Sequence, residues 1–153
     1  MSNKEFLSKK PQDTEDFAKN IAQRLKPGDK LALYGNLGAG KTTFIQGLAK
    51  GLGYRGKVFS PTFIFVRSYK ISNQTSNVRN PKSEIHTLYH IDLYRLEETK
   101  DLKNIGIEEF LNEKGVVCAI EWPEKIENLL PKNVIKIQIE AISEKERKFT
   151  LNE

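Results

Sequence analysis

The stretch Gly35-Asn36-Leu37-Gly38-Ala39-Gly40-Lys41-Thr42-Thr43 holds the residue types best suited to chemistry. It fits G-x-x-x-x-G-K-[ST], a phosphate-cradling loop. Such a loop turns its N–H groups inward toward phosphate oxygens. Gly35 and Gly40 are expected to take backbone angles that a β-carbon opposes. A helix starting near Lys41 adds the positive end of its dipole. Lys41 bridges the β- and γ-phosphates of a nucleoside triphosphate, and the Thr42 hydroxyl ligates magnesium.

Hydrolysis asks for acids as well. Magnesium must be held and an attacking water oriented. Open α/β sheets bind ligands outside the carboxyl ends of their strands. Glu121 directly follows the apolar run Val116–Ile120 and is the first candidate. Asp92, in His90-Ile91-Asp92-Leu93-Tyr94-Arg95, is the second. A plain surface position is the alternative for each. Thr62, in Ser60-Pro61-Thr62-Phe63, either enters a strand or senses the γ-phosphate and magnesium as a switch does. His90 alone reads as a structural histidine. Trp122 covers a sheet edge or senses nucleotide beside Glu121. No arginine stands out as a charge-stabilising finger. Arg67, Arg95 and an arginine from a partner all stay open.

The surrounding pattern supplies elements to hold these groups. Leu31–Tyr34 reads as a short buried strand and Phe44–Leu52 as a helix, the context the loop motif needs. Upstream, Phe6 and Leu7 could add a small strand. Asp13-Thr14 looks like a helix start, with apolar positions at helical spacing to Leu25. Pro27-Gly28 stops that helix. Phe63–Tyr69 and Ile85–Tyr94 read as an antiparallel hairpin whose polar tip, 71–84, is expected to be a mobile loop. Leu96–Asn104 and Ile107–Lys114 read as two short helices around Gly106. Val116–Ile120 is a strand buried on both faces. Glu124–Leu130 is a short helix, and Val134–Ala141 and Arg147–Leu151 are the last strands. The order predicts a single domain over 1–153. Its fold class is α/β, three-layer, with a mixed sheet: central parallel strands flanked by antiparallel ones.

Composition narrows the class further. The chain has 153 residues, 38% hydrophobic, with a net charge of +5, which suits one globular domain with a real core. One cysteine, Cys118, excludes an intramolecular disulfide, and with two histidines it leaves no metal cluster. Cys118 reads as a core thiol. The first residues hold no apolar run of signal-peptide type, and no run is long enough to span a membrane. Those features predict a cytoplasmic protein. Lysines are interleaved with acids, so the positive charge reads as solvated surface rather than a DNA- or RNA-binding stripe.

Four stretches together resemble the TsaE (YjeE) family. They are Leu33–Phe44, Ser60–Phe63, His90–Leu96 and Ile120–Glu124, and the resemblance covers nearly the whole chain. It implies a P-loop NTPase-like fold and an ATPase of bacterial tRNA threonylcarbamoyladenosine (t6A) biosynthesis. It also implies a TsaB–TsaD heterodimer as partner, tRNA reached through that complex, and ATP with Mg2+ as cofactors. The family supports modification of adenosine 37 but does not itself transfer the threonylcarbamoyl group. By resemblance, Gly38–Thr43 bind phosphate, Thr42 and Glu121 hold magnesium, and Asp92 is the Walker B-like acid. Thr62 is switch-like and Trp122 lies beside the nucleotide. The family's adenine contacts come partly from the start of the N-terminal helix, which brings in Thr14. Asn36 stands where the family usually has Asp, and 71–84 is longer than usual. A small-molecule kinase would need an acceptor pocket and a basic lid, and no Arg-rich lid segment is found. A GTPase would carry N-K-x-D, which is absent. A non-enzymatic RNA-binding module would bind tRNA in a salt-sensitive way without nucleotide.

Overall fold

A computed structural model describes residues 3–71, 84–98 and 100–153. The expected loop at 71–84 lies, apart from its two ends, outside the described residues.

Seven strands form one sheet in the order β1-β7-β6-β2-β5-β4-β3. They are β1 (Asn3–Ser8), β2 (Lys30–Tyr34), β3 (Val66–Lys70), β4 (Thr87–Asp92), β5 (Val116–Glu121), β6 (Ile135–Ala141) and β7 (Arg147–Asn152). The centre, β6-β2-β5-β4, is parallel, and β1, β7 and β3 pair antiparallel at the margins. This is the mixed sheet that the sequence predicts. β5 is buried at every position, as an apolar strand covered on both faces must be. β6 alternates buried and exposed positions over its later residues because it meets a packed layer on one face.

Helices α1 (Pro11–Ala22) and α2 (Lys41–Leu52) cover one face. The core there joins Phe44, Ile45 and Leu48 of α2 to Leu31 and Leu33 of β2 and Phe149 of β7. Helices α3 (Asp101–Ile105) and α4 (Ile107–Asn112), with a 3-10 helix over Pro123–Leu129, cover the other face through Ile107, Leu111 and Ile126. Among the described residues no helix is long and apolar enough to cross a membrane.

Of the boundaries that differ from expectation, three have a local cause in the structure. α1 begins at Pro11, with Lys10 as its cap, because proline fits the first helical turn. β3 begins only at Val66: two i to i+4 and i+3 bonds to the Pro61 carbonyl coil residues 61–65 into turns. α3 begins at Asp101 rather than Leu96, since Lys125 Nζ ties down the carbonyls of Tyr94 and Leu96 at 2.7 Å each.

Candidate functional site

Two elements meet at the end of β2. The strand stops at Tyr34, and α2 starts at Lys41 with Gly40 as its cap. Among the described residues no side chain caps α2, so its first-turn N–H groups stay available for an anion. Gly38 (φ 79°) and Gly40 (φ 103°) take left-handed angles, as a phosphate loop requires. Gly35 differs from expectation: its φ is ordinary, and space is what excludes a side chain. A β-carbon there would lie 2.8 Å from the Ile139 carbonyl oxygen of β6.

Lys41 is buried, with its Nζ donating to the Gly35 carbonyl at 2.6 Å and lying 4.0 Å from the centroid of the Trp122 ring. Burial pulls its pKa below the ordinary lysine value, and the Glu121 and Asp92 carboxylates oppose that pull. The ammonium is thus held close to where phosphate would sit.

The acids arrive from the neighbouring parallel strands. Asp92 ends β4 and Glu121 ends β5, and the two are directly paired in register. Each is 4% exposed, which rules out a plain surface role for either. Ser60 and Thr62 hydroxyls donate to Asp92 Oδ2 at 3.2 and 3.0 Å, and the Tyr94 N–H donates to Oδ1 at 3.0 Å. Thr62 therefore sits on the acid, not in a simple strand entry. His90 Nε2 bonds Glu121 Oε2 at 2.6 Å in a fully buried contact. A carboxylate only accepts, so the proton is on Nε2. Among the described residues His90 Nδ1 has no partner.

Among the described residues, Trp122 and Phe65 are the non-glycine residues with positive φ, at 59° and 65°. Both flank this group, and such angles in bulky residues point to functional constraint. Trp122 turns sharply after Glu121, which lays its ring over Lys41. Phe65 accepts the Asp92 N–H at 2.8 Å.

These residues line one cleft of about 640 Å³ that includes Gly38, Lys41, Thr42, Thr43, Thr62, Asp92, Glu121 and Trp122. Ala39, expected in the cradle, is buried and lines not this cleft but a second one toward β6. Thr14 does not line the cleft: its hydroxyl is buried 2.7 Å from that of Ser8. Asn36 is exposed and borders a second cleft, toward β6. Of the open arginines, Arg95 reaches the cleft rim over the Phe63 ring, while Arg67 packs over Phe59. Sequence reasoning missed Arg147, from β7, whose guanidinium also lines the cleft and donates to the Gly38 carbonyl at 3.3 Å. Nothing local to Arg147 signals this.

Among the described residues no group of three or more His, Cys, Asp or Glu could hold a metal unaided. The donor set is a hydroxyl and two carboxylates, all hard oxygens, which suits magnesium shared with phosphate.

A profile of the family described as threonylcarbamoyl adenosine biosynthesis protein TsaE matches residues 8–149. The chain belongs to the TsaE family. Named relatives include the TsaE of Bacillus subtilis, 39% identical over 92% of this chain and 79% of its own length. The TsaE of Treponema pallidum is 34% identical over 95% of this chain and 97% of its own length. The crystal structure of Bacillus subtilis YdiB superposes with a TM-score of 0.75 at 33% identity, covering 98% of this chain and 84% of that one. TsaE proteins serve t6A biosynthesis, a tRNA modification, and are nucleotide-binding proteins of P-loop fold.

Proposed function

We propose that this chain binds ATP with Mg2+, hydrolyses it, and so supports t6A formation by acting on a TsaB–TsaD complex in the cytoplasm. The observation carrying this reading is the convergence of Lys41 with Asp92 and Glu121 at the mouth of one phosphate loop. The uncapped start of α2 and the cradle of Gly38–Thr43 take the phosphates. Thr42, Glu121 and Asp92 hold magnesium, which when bound neutralises phosphate charge and polarises the γ-phosphoryl group. Asp92, held on three sides, has less freedom than Glu121. Glu121 is therefore the group that orients the attacking water, with His90 keeping its carboxylate in place. Thr62 couples occupancy of the site to the exposed segment Phe63–Ile64. tRNA is engaged through the partner complex, and no DNA is involved.

The test is reconstituted tRNA modification with TsaB, TsaD and the threonylcarbamoyl-AMP donor, with and without this chain. The expected result is multiple turnover only when the chain and ATP are both present. Equal turnover without the chain would reject the proposal.

A further inference from the structure

Among the described residues three buried side-chain polar atoms lack a hydrogen-bond partner: Arg67 Nε, His90 Nδ1 and Asn152 Oδ1. Two of the three belong to one cross-strand pair. Arg67 of β3 stands directly opposite His90 of β4 in the antiparallel register. Residues paired in this way put their side chains on the same face, with β-carbons about 5 Å apart. Nε sits on the arginine stem, short of the guanidinium carbon, and Nδ1 sits on the near side of the imidazole. Both orphans therefore stay close to the strands and can share one neighbour.

Their chemistry is complementary. His90 Nε2 carries the ring proton toward Glu121 Oε2, which leaves Nδ1 an acceptor. The Arg67 Nε–H only donates. A buried polar atom left unpaired is costly, and one buried water with a polar group on either side relieves both. Glu121 continues the row. His90 is in register with Ala119 of β5, and Glu121, two positions on, shares that face.

The head of Arg67 is placed elsewhere. Its guanidinium carbon lies 5.6 Å from the centroid of the Phe59 ring. Arg67 does not line the cleft around Lys41, so it is not the charge-stabilising finger of hydrolysis. The stem nitrogen is the part of it that faces the catalytic row.

We propose that Arg67 is a positioning residue for Glu121: its Nε–H holds His90 Nδ1 through one buried water and so fixes the tautomer that donates to Glu121. This rests on the reading of Glu121 as the group that orients the attacking water. The relay runs Arg67–His90–Glu121 across β3, β4 and β5 and holds the imidazole by both nitrogens.

The experiment compares the full wild-type chain with three variants. Arg67→Gln keeps an N–H close to the Nε position without the charge. Arg67→Lys keeps the charge without that N–H, and Arg67→Met keeps neither. With partners present, Arg67→Met and Arg67→Lys should lose about 10-fold in kcat for ATP, while Arg67→Gln stays within about 2-fold of wild type. ATP binding, followed by Trp122 fluorescence, should be unchanged in all three, which also shows that they fold. The chain has two histidines, so ring-nitrogen NMR resolves His90. Its Nδ1 should resonate as a hydrogen-bonded acceptor in wild type and Arg67→Gln, and as a free lone pair in Arg67→Met and Arg67→Lys. A free lone pair or a proton on Nδ1 of the wild type overturns the proposal without any variant. Equal turnover in all three variants overturns it as well. Turnover kept in Arg67→Lys and lost in Arg67→Gln would make charge the cause and exclude the donor. Weakened ATP binding would make Arg67 a part of the nucleotide site and also overturn it. Full turnover in Glu121→Ala would instead remove the reading of Glu121 on which the proposal rests.

Discussion

Lys41 carries its charge into a site where burial disfavours it, held by one carbonyl and one indole face. A phosphate would be a better partner than either. Charge-assisted contacts are worth ~1.5–3 kcal/mol, so Lys41→Ala should weaken ATP about 10- to 100-fold. Trp122 is the sole tryptophan and touches Lys41, so its fluorescence reads the titration directly. An unchanged ATP titration would count against the P-loop role. Glu121→Ala should keep nucleotide binding and lose at least ~100-fold in turnover with partners present. His90 acts through Glu121. His90→Gln places an amide N–H near the lost Nε2 and should retain more turnover than His90→Leu, with both still binding ATP. Equal losses would mean that His90 only fills space. Cys118 behaves as the core thiol expected of it. Burial pushes its pKa up to about 12. An unfolded thiol ionises near pH ~8.5, so the contribution to stability is intact below that and is lost as pH rises toward 12. Iodoacetamide at pH ~8.5 should label the urea-unfolded chain and spare the native one.

At the scale of elements, α2 owes its position to two glycines. A β-carbon on Gly47 would meet the Glu15 carbonyl oxygen at 2.5 Å, and one on Gly51 would meet the Ala22 β-carbon at 2.6 Å. Both contacts come from α1, so the two helices touch almost backbone to backbone. Gly to Ala inside a helix normally stabilises by ~1 kcal/mol. Here overpacking of ~1–3 kcal/mol outweighs that gain. Gly47→Ala should therefore lower the urea midpoint, and a raised midpoint would show that the helices separate freely. Because α2 begins with Lys41 and Thr42, any shift of its axis also moves the cradle. Helical periodicity marks α1 and α2 in the sequence. It does not show that glycine sets their spacing, since that depends on what lies opposite.

For the whole molecule, the sheet order decides who meets at the site. Phe149 of β7 packs with Phe6 of β1, Phe17 of α1 and Phe44 of α2, joining both chain ends to the P-loop helix. Among the described residues β1 pairs only with β7, so this strand depends on β7. Phe149→Ala should cost ~3–5 kcal/mol. Urea unfolding followed by Trp122 fluorescence measures it, and a loss below ~1 kcal/mol would show that this cluster is peripheral.

Much was legible in one dimension because the physics there is local. The P-loop is a run of nine residues whose glycines, lysine and threonine act on their own backbone and the ligand. The apolar run of β5 shows that it is buried on both faces, and Glu121 follows it at the strand end where ligands bind. The family stretches are likewise read from contiguous residues. What the tertiary structure alone decided are the meetings across strands. Asp92 and Glu121 face each other because β4 and β5 pair in that register. His90 reaches Glu121, and Ser60 and Thr62 reach Asp92, across separations of 30 to 32 positions in the chain. Gly35 needs its missing side chain because of β6, and Thr14 turns to Ser8 instead of the cleft. Arg147 reaches the phosphate loop only because the antiparallel return of β7 carries it there. Such contacts arise from strand order and register, which depend on the packing of all layers together and leave no mark in any single stretch.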